Sequence, residues 1–321
     1  MDVILVQDAA IDEYMSQVLL TTMDVNFLGN SIVNADCIDT AAMQAAWKIN
    51  TYIGASAMPL GLSRARGWNA FPWSYRTDCI KQGQIPALAG IADNPAWPPY
   101  PDGDTLLETL LGSCAPGVTV LITCPLTPLA NVLKRRPALK QKIGQIIWMG
   151  GAIGVKGNLD PTTVPTPPWN PCAEWNAFWD PAAVDWIFRR TTCPIIQFPL
   201  DITDQAAITK DFMARLDAQS QAGMRYSTLA YQSYGLVSAE PFYDMWDVVT
   251  TCWLVNDQYN FFEPPTTMKL AIDVELNATQ GCIKPRRKGR GGREVQVVLN
   301  FAADGGQQRF YDYVAAQFNR S

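Results

Sequence analysis

Two short, mainly apolar runs, Gly117-Val-Thr-Val-Leu-Ile-Thr123 and Ile143-Gly-Gln-Ile-Ile-Trp-Met149, limit the folds open to this chain. Each is strand length and carries apolar residues at odd and even positions alike. A strand with two apolar faces has to be covered on both sides, which is the condition of a parallel sheet packed between helices. Val3-Ile-Leu-Val6 has the same character, and strands follow over Asp24–Val33 and Pro194–Phe198. Helical stretches stand between them, at Tyr14–Leu20, Thr40–Thr51, Gly103–Leu111, Pro128–Leu133 and Pro181–Arg190. Thr209–Leu236, Trp246–Val255 and Gln307–Phe318 read as further helices, and Met268–Ala302 alternates like a pair of strands. The alternation predicts an α/β fold with a mostly parallel central sheet and helices on both faces. With no repeat or linker, residues 1–321 form one domain.

In such folds ligands bind at the carboxyl ends of the strands, and those ends are polar here. The first strand stops at Asp8, with Asp12 and Glu13 just beyond, and the second runs into Asn34-Ala-Asp36. Three carboxylates within six residues repel one another unless protons, donors or a cation offset the charge. A hard divalent ion, Mg²⁺ or Ca²⁺, meets that need through oxygen ligands; capping of the following helix is the alternative. The chain contains no histidine, so acid–base work falls to carboxylates, tyrosine, lysine or cysteine.

A net charge of −5 argues against a nucleic-acid-binding surface. The one basic run, Pro285–Arg293, has three glycines and reads as an exposed hairpin loop. The eight cysteines include no C-x-x-C pair, and their apolar neighbours predict buried free thiols. Met1 leads directly into the first strand and no apolar run approaches ~18 residues, which predicts an intracellular, soluble protein without a membrane span. Ile53–Tyr100 is long and rich in Pro, Gly and aromatics, the composition of a lid or binding segment.

Taken in order, the strand-end clusters resemble the nucleoside hydrolases, the inosine–uridine-preferring family of N-ribohydrolases. Asp8 and Asp12 lie in register with that family's Asp-x-Asp-Pro-Gly-x-Asp-Asp signature, and Val-Leu-Ile-Thr123-Cys-Pro-Leu-Thr is similar to its Thr-Gly-Pro-Leu-Thr strand end. Trp148-Met149-Gly-Gly-Ala, Lys156-Gly-Asn158, Ala173-Glu174-Trp175-Asn176 and Trp246-Asp247 follow. The tryptophans flanking the last two motifs look closest to the purine-preferring, inosine–adenosine–guanosine branch.

The resemblance implies a Rossmann-like fold that hydrolyses the N-glycosidic bond of ribonucleosides, purine type favoured. It implies a water on Ca²⁺ activated by Asp8, with Asp8, Glu13, the Thr123 carbonyl and Asp247 as metal ligands. Asp12, Met149, Asn158, Glu174, Asn176 and Asp247 would bind ribose, and Asp36, Trp73, Tyr75 and Trp246 would face the base. A small nucleoside as partner, a homo-oligomer with a dimer favoured over a tetramer, and a cytoplasmic salvage role come with it.

The chain departs from the pattern inside the opening motif. Val6 replaces the first Asp, Ala9-Ala10 replaces the Pro-Gly pair, and Glu13 stands for an Asp. The extra methylene moves that carboxylate by about 1.5 Å, as large as the tolerance of a preorganised site. Cys124 and Pro128 also alter the turn after Thr123, and the arginine expected shortly before Trp246 is missing from Ser233–Pro241. Three readings stand open: a nucleoside hydrolase, a relative acting on an unusual ribosylated metabolite, and a non-catalytic nucleoside- or ribose-binding protein.

Overall fold

The computed structural model describes residues 1–69, 76–159, 170–240, 243–286 and 291–321. Its centre is a sheet of nine strands: β1 (Asp2–Gln7), β2 (Asn26–Val33), β3 (Leu60–Ser63), β4 (Val118–Ile122), β5 (Ile143–Met149), β6 (Ile195–Phe198), β7 (Thr266–Ile272), β8 (Ile283–Pro285) and β9 (Arg293–Val297). They run in the order β3-β2-β1-β4-β5-β6-β9-β7-β8. The first six strands and β9 pair in parallel, and β7 is antiparallel to both its neighbours.

The two-faced strands do what their composition requires. Val3 and Leu5 of β1 join one apolar cluster, while Ile4 and Val6 join the cluster on the opposite face. Leu121 and Ile147 likewise oppose Val120 and Ile146. Burying such residues contributes roughly 1.5–3 kcal/mol each. This is why the register is firm: a slip of one residue would exchange the faces.

The chain moves outward from β1 to β3 and then returns to lay β4 against the other side of β1. A change of direction of this kind opens a crevice above the carboxyl ends of the two central strands. Asp8 leaves β1 there, and Thr123 leaves β4 with its amide donating to the Val6 carbonyl at 2.9 Å.

Several expectations need correction. The predicted helix over 209–236 is two helices, Lys210–Gln221 and Arg225–Gly235, because the chain turns at Gly223 with φ of +86°, a conformation glycine tolerates as a helix stop. The last third holds three strands instead of two. The basic run is not a hairpin loop: it leaves β8 and enters β9, which lie on opposite sides of β7, and its residues 287–290 fall outside the described ones. Nor are all eight thiols free. Cys172 and Cys282 form a disulfide, with Cα atoms 5.3 Å apart. Asn170 Nδ2 donates to the Gln280 carbonyl at 2.6 Å and brings the two segments together, a contact that local sequence does not reveal. The other six cysteines are free.

The stretch 53–100 is only in part a binding segment. Trp97 packs on Trp47 and Tyr100, with ring centroids 6.0 and 5.3 Å away, so this portion covers the core. No helix among the described residues is long and apolar enough to cross a membrane.

Candidate active site

A cavity of about 890 Å³ opens above the carboxyl ends of the central strands. Asp8, Asp12, Asp36, Thr123, Met149, Asn158, Glu174, Asn176, Trp246 and Asp247 all line it. Ten residues predicted from motifs spread over 240 positions thus share one space. Glu13 is fully buried behind it, and Trp73 and Tyr75 lie outside the described residues.

The opening turn is built around Glu13. Its carboxylate accepts the Asp8 amide at 2.9 Å, the Ala10 amide, and the Thr123 hydroxyl at 3.1 Å. Reaching back from the third helical residue to the residue before the helix is half of a capping box, so the extra methylene of Glu13 is used to cap. Ala9, between the two amides, has φ of +71°, where an L side chain is strained and glycine is not. Burial pushes the Glu13 carboxyl up to about 8.

Asp12 faces the other way. It accepts from the Tyr243 hydroxyl at 3.0 Å and from the Asp247 amide at 2.9 Å. The helix Trp246–Cys252 therefore starts on Asp12, which fixes Asp247 beside the turn. Two carboxylate oxygens are left over: Asp8 Oδ2 and Asp247 Oδ1 are buried and without a hydrogen-bond partner. Burial pushes both carboxyls well above the ordinary range, and the charges of Glu13 on Asp8 and of Asp12 on Asp247 push further.

Opposite them, Glu174 caps the helix Trp175–Trp179 by accepting the Asn176 and Ala177 amides at 2.7 and 3.1 Å. It also takes the Gly151 amide at 2.7 Å, tying the loop after β5 to this helix. Three amides favour its charge, yet burial outweighs them and raises it to about 7. Asn176 Nδ2 donates to the Met149 carbonyl at 3.2 Å and approaches the Thr123 carbonyl at 3.5 Å.

A hard cation fits part of this set. Asp8 and Asp247 supply the unpartnered oxygens and Thr123 supplies a carbonyl, all of the chemical type such ions take. Glu13 does not fit, because donors already occupy both of its oxygens. Among the described residues no three His, Cys, Asp or Glu side chains are placed to hold a metal together.

The cavity is also lined by residues that the motifs did not reveal. Arg76 bridges to the end of β2, pairing with Cys37 and donating its amide to the Asp36 carbonyl at 3.0 Å. Its guanidinium binds Asp78 at 2.8 Å and Glu240 at 3.0 Å, lies 3.7 Å from Asp36, and sits 5.3 Å from the Tyr243 ring centroid. Burial would lower its pKa, but Asp36, Tyr243 and Asp78 more than reverse this, so it is a permanent cation. Tyr243 in turn meets Trp246 with centroids 4.9 Å apart, and the Trp246 indole donates to Asp204 at 3.0 Å. Tyr243 thus stands between Arg76 and Trp246. Burial pushes Asp36 and Asp204 up to about 6 and Asp244 to about 7. The excess of acids around Tyr243 was a weak signal in Asp244-Met-Trp-Asp247; Arg76 gave none.

The chain is also similar to known proteins. The sequence model of the family described as inosine-uridine preferring nucleoside hydrolase matches residues 3–308. A pyrimidine-specific ribonucleoside hydrolase (RihA) of Shewanella woodyi is 31% identical over 198 residues, 58% of this chain and 57% of that protein. A non-specific ribonucleoside hydrolase (RihC) of Shigella dysenteriae is 30% identical, over 61% of this chain and 60% of its own length. The matched region thus spans somewhat over half the length of these two relatives. The crystal structure of an inosine-uridine preferring nucleoside hydrolase from Bacillus anthracis superposes with a TM-score of 0.82 at 27% identity, covering 99% of this chain and 100% of that one. A purine-preferring ribonucleoside hydrolase from Gardnerella vaginalis shares the fold, with a TM-score of 0.76 at 17% identity.

Proposed function

This chain belongs to the inosine-uridine preferring nucleoside hydrolase family, and from that premise we propose that it hydrolyses the N-glycosidic bond of a ribonucleoside to free base and ribose. The observation that carries the reading is the pair of buried, unpartnered oxygens, Asp8 Oδ2 and Asp247 Oδ1, lining the same cavity as Glu174 and Asn176. Departure of the base leaves an oxocarbenium-like sugar, and carboxylates already in place around the ring stabilise its positive charge. Asp8 takes the proton of the attacking water. Glu13 holds the Asp8 backbone and so aims that side chain, while Asp12 places Asp247 through its amide.

Asp8, Asp247 and the Thr123 carbonyl would hold Ca²⁺, which would lower the pKa of a bound water and offset the buried charge. Asn158, Glu174 and Asn176 offer donors and acceptors to the ribose hydroxyls, with the Met149 carbonyl held nearby by Asn176. Asp36 and Trp246 face the base. The case for a purine rests on Trp246, and the named relatives include pyrimidine-specific and non-specific enzymes.

Purified protein incubated with uridine, cytidine, inosine, adenosine and guanosine in Ca²⁺ should release reducing sugar from at least one, and Asp8→Asn should stop it. Failure with all five would sink the proposal. The inward turn of Glu13 favours one second reading, a ribose-binding protein without turnover, which predicts calorimetric binding of nucleosides and no release of base.

A further inference from the structure

Resting on the hydrolase reading, we propose that the site selects ribonucleosides whose base carries a fixed positive charge, such as N-ribosylpyridinium ions and N-alkylated purine ribosides. The first support is the charge of the cavity wall around Arg76 and Trp246. Asp36, Asp78, Asp204, Glu240 and Asp244 line it, and the one cation among them is Arg76. Arg76 is committed to Asp78 and Glu240 at 2.8 and 3.0 Å. Asp244 has no hydrogen-bond partner among the described residues, being held by its backbone in a bridge to Ala207. A divalent ion between Asp8 and Asp247 would offset those two carboxylates and leave these five as they are. Among the described residues, Lys156, on the loop after β5, is the only other cation lining the cavity.

The aromatic surface is the second support. Trp246 is half-buried in this wall, and its indole N–H is tied to the Asp204 carboxylate at 3.0 Å. An anion on the N–H edge enriches the ring face in electron density, and Trp is the strongest cation–π partner among the side chains. Tyr243 beside it already carries Arg76 in this way.

The third concerns the leaving group. A neutral base departs as an anion unless it collects a proton, and an anion among five carboxylates is disfavoured. The chain has no histidine and a guanidinium does not release a proton, so a neutral base would have to draw one from a buried carboxyl such as Asp36 or Asp244, which then becomes one more anion beside it. A cationic base has no such requirement. The C1′–N bond breaks with its electron pair returning to the ring nitrogen, which neutralises the base. The water oxygen bonds to C1′, its proton passes to Asp8 and then to solvent, and ribose and neutral base leave.

The test compares N-ribosylnicotinamide, whose pyridinium charge does not depend on pH, with guanosine at about pH 8, where the Asp204 and Asp244 carboxyls are ionised, by chromatographic assay of released base. The pyridinium substrate also has a weaker glycosidic bond, so the decisive quantity is the ratio of the two kcat/KM values in the wild type divided by that ratio in Asp244→Asn. Loss of one nearby carboxylate charge should lower the preference by roughly three- to tenfold. Asp204→Asn, at a separate position, should lower it in the same direction. A ratio unmoved by both substitutions, or guanosine turned over as well as the pyridinium riboside, overturns the proposal and leaves the hydrolase reading standing. Release of base from no nucleoside, neutral or cationic, overturns both.

Discussion

Replacing Asp247 by Asn should stabilise the metal-free protein and remove its response to calcium. Asp247 is 5% exposed, and its Oδ1 meets no donor. Asn has the same shape and keeps the backbone amide that donates to Asp12 at 2.9 Å. It removes a negative charge that Asp12, Glu13 and Asp8 all oppose. An unsatisfied buried polar group costs about 1–3 kcal/mol, and more when charged. The variant should therefore gain about 1–3 kcal/mol in a chelating buffer. For a chain of this length that is roughly 2–6 °C in Tm.

Calcium should reverse the order. At a hundredfold excess over Kd, a ligand bound only by the native state adds about 2.7 kcal/mol, which the wild type should show and Asp247→Asn should not. Thermal unfolding followed by tryptophan fluorescence, with chelator and with added Ca²⁺, measures all four quantities. A wild type whose Tm ignores Ca²⁺, or a variant less stable than wild type in chelator, would refute the cation-site reasoning. Asp8→Asn provides the replicate at the other unpartnered oxygen.

Three further outcomes follow from the same structure. Ala9→Gly should raise stability by about 1 kcal/mol by relieving the positive φ, read as a shift in denaturant midpoint. Because burial raises Glu174 and Asp244 to about 7 and Asp36 to about 6, the folded state binds protons more tightly than the unfolded one. Their contribution is fully present below about pH 4 and is lost as pH rises through about 7, so metal-free urea midpoints should fall across that window. Cys172→Ser should cost about 2–4 kcal/mol by opening the Cys172–Cys282 link, and reductant should lower the wild-type Tm while leaving the variant unmoved.

The sheet was legible because its strands carry their own instructions. Val118–Ile122 and Ile143–Met149 are apolar on both faces, and that alone requires helices above and below. The part of the cavity around Asp8 was legible for a related reason. Asp8, Thr123, Met149 and Glu174 sit at or just beyond element ends, so each marks its own place in a motif. What failed were inferences about pairing at a distance. Nothing local distinguishes Cys172 and Cys282 from the six free cysteines, and the strand order that separates β8 from β9 is set by β7 packing between them.

The part of the cavity around Arg76 was illegible because it is made almost wholly of such distant pairings. Arg76, Glu240 and Tyr243 belong to no common motif; a bridge to Cys37 fixes the first, and the guanidinium then gathers the rest. Tyr243 joins the two parts, since its ring carries Arg76 while its hydroxyl reaches Asp12 at 3.0 Å. Any ligand that pulls on Arg76 therefore pulls, through one side chain, on the residue that places Asp247. On the proposed reading this contact would couple chemistry at the sugar to recognition at the base, and Tyr243→Phe should separate them. It retains the ring and removes the hydroxyl from Asp12, so it should reduce kcat for every ribonucleoside by a similar factor. The ratio of kcat/KM values between a cationic and a neutral base should stay as in the wild type. A change in that ratio larger than the change in kcat would show instead that Tyr243 acts on the base directly.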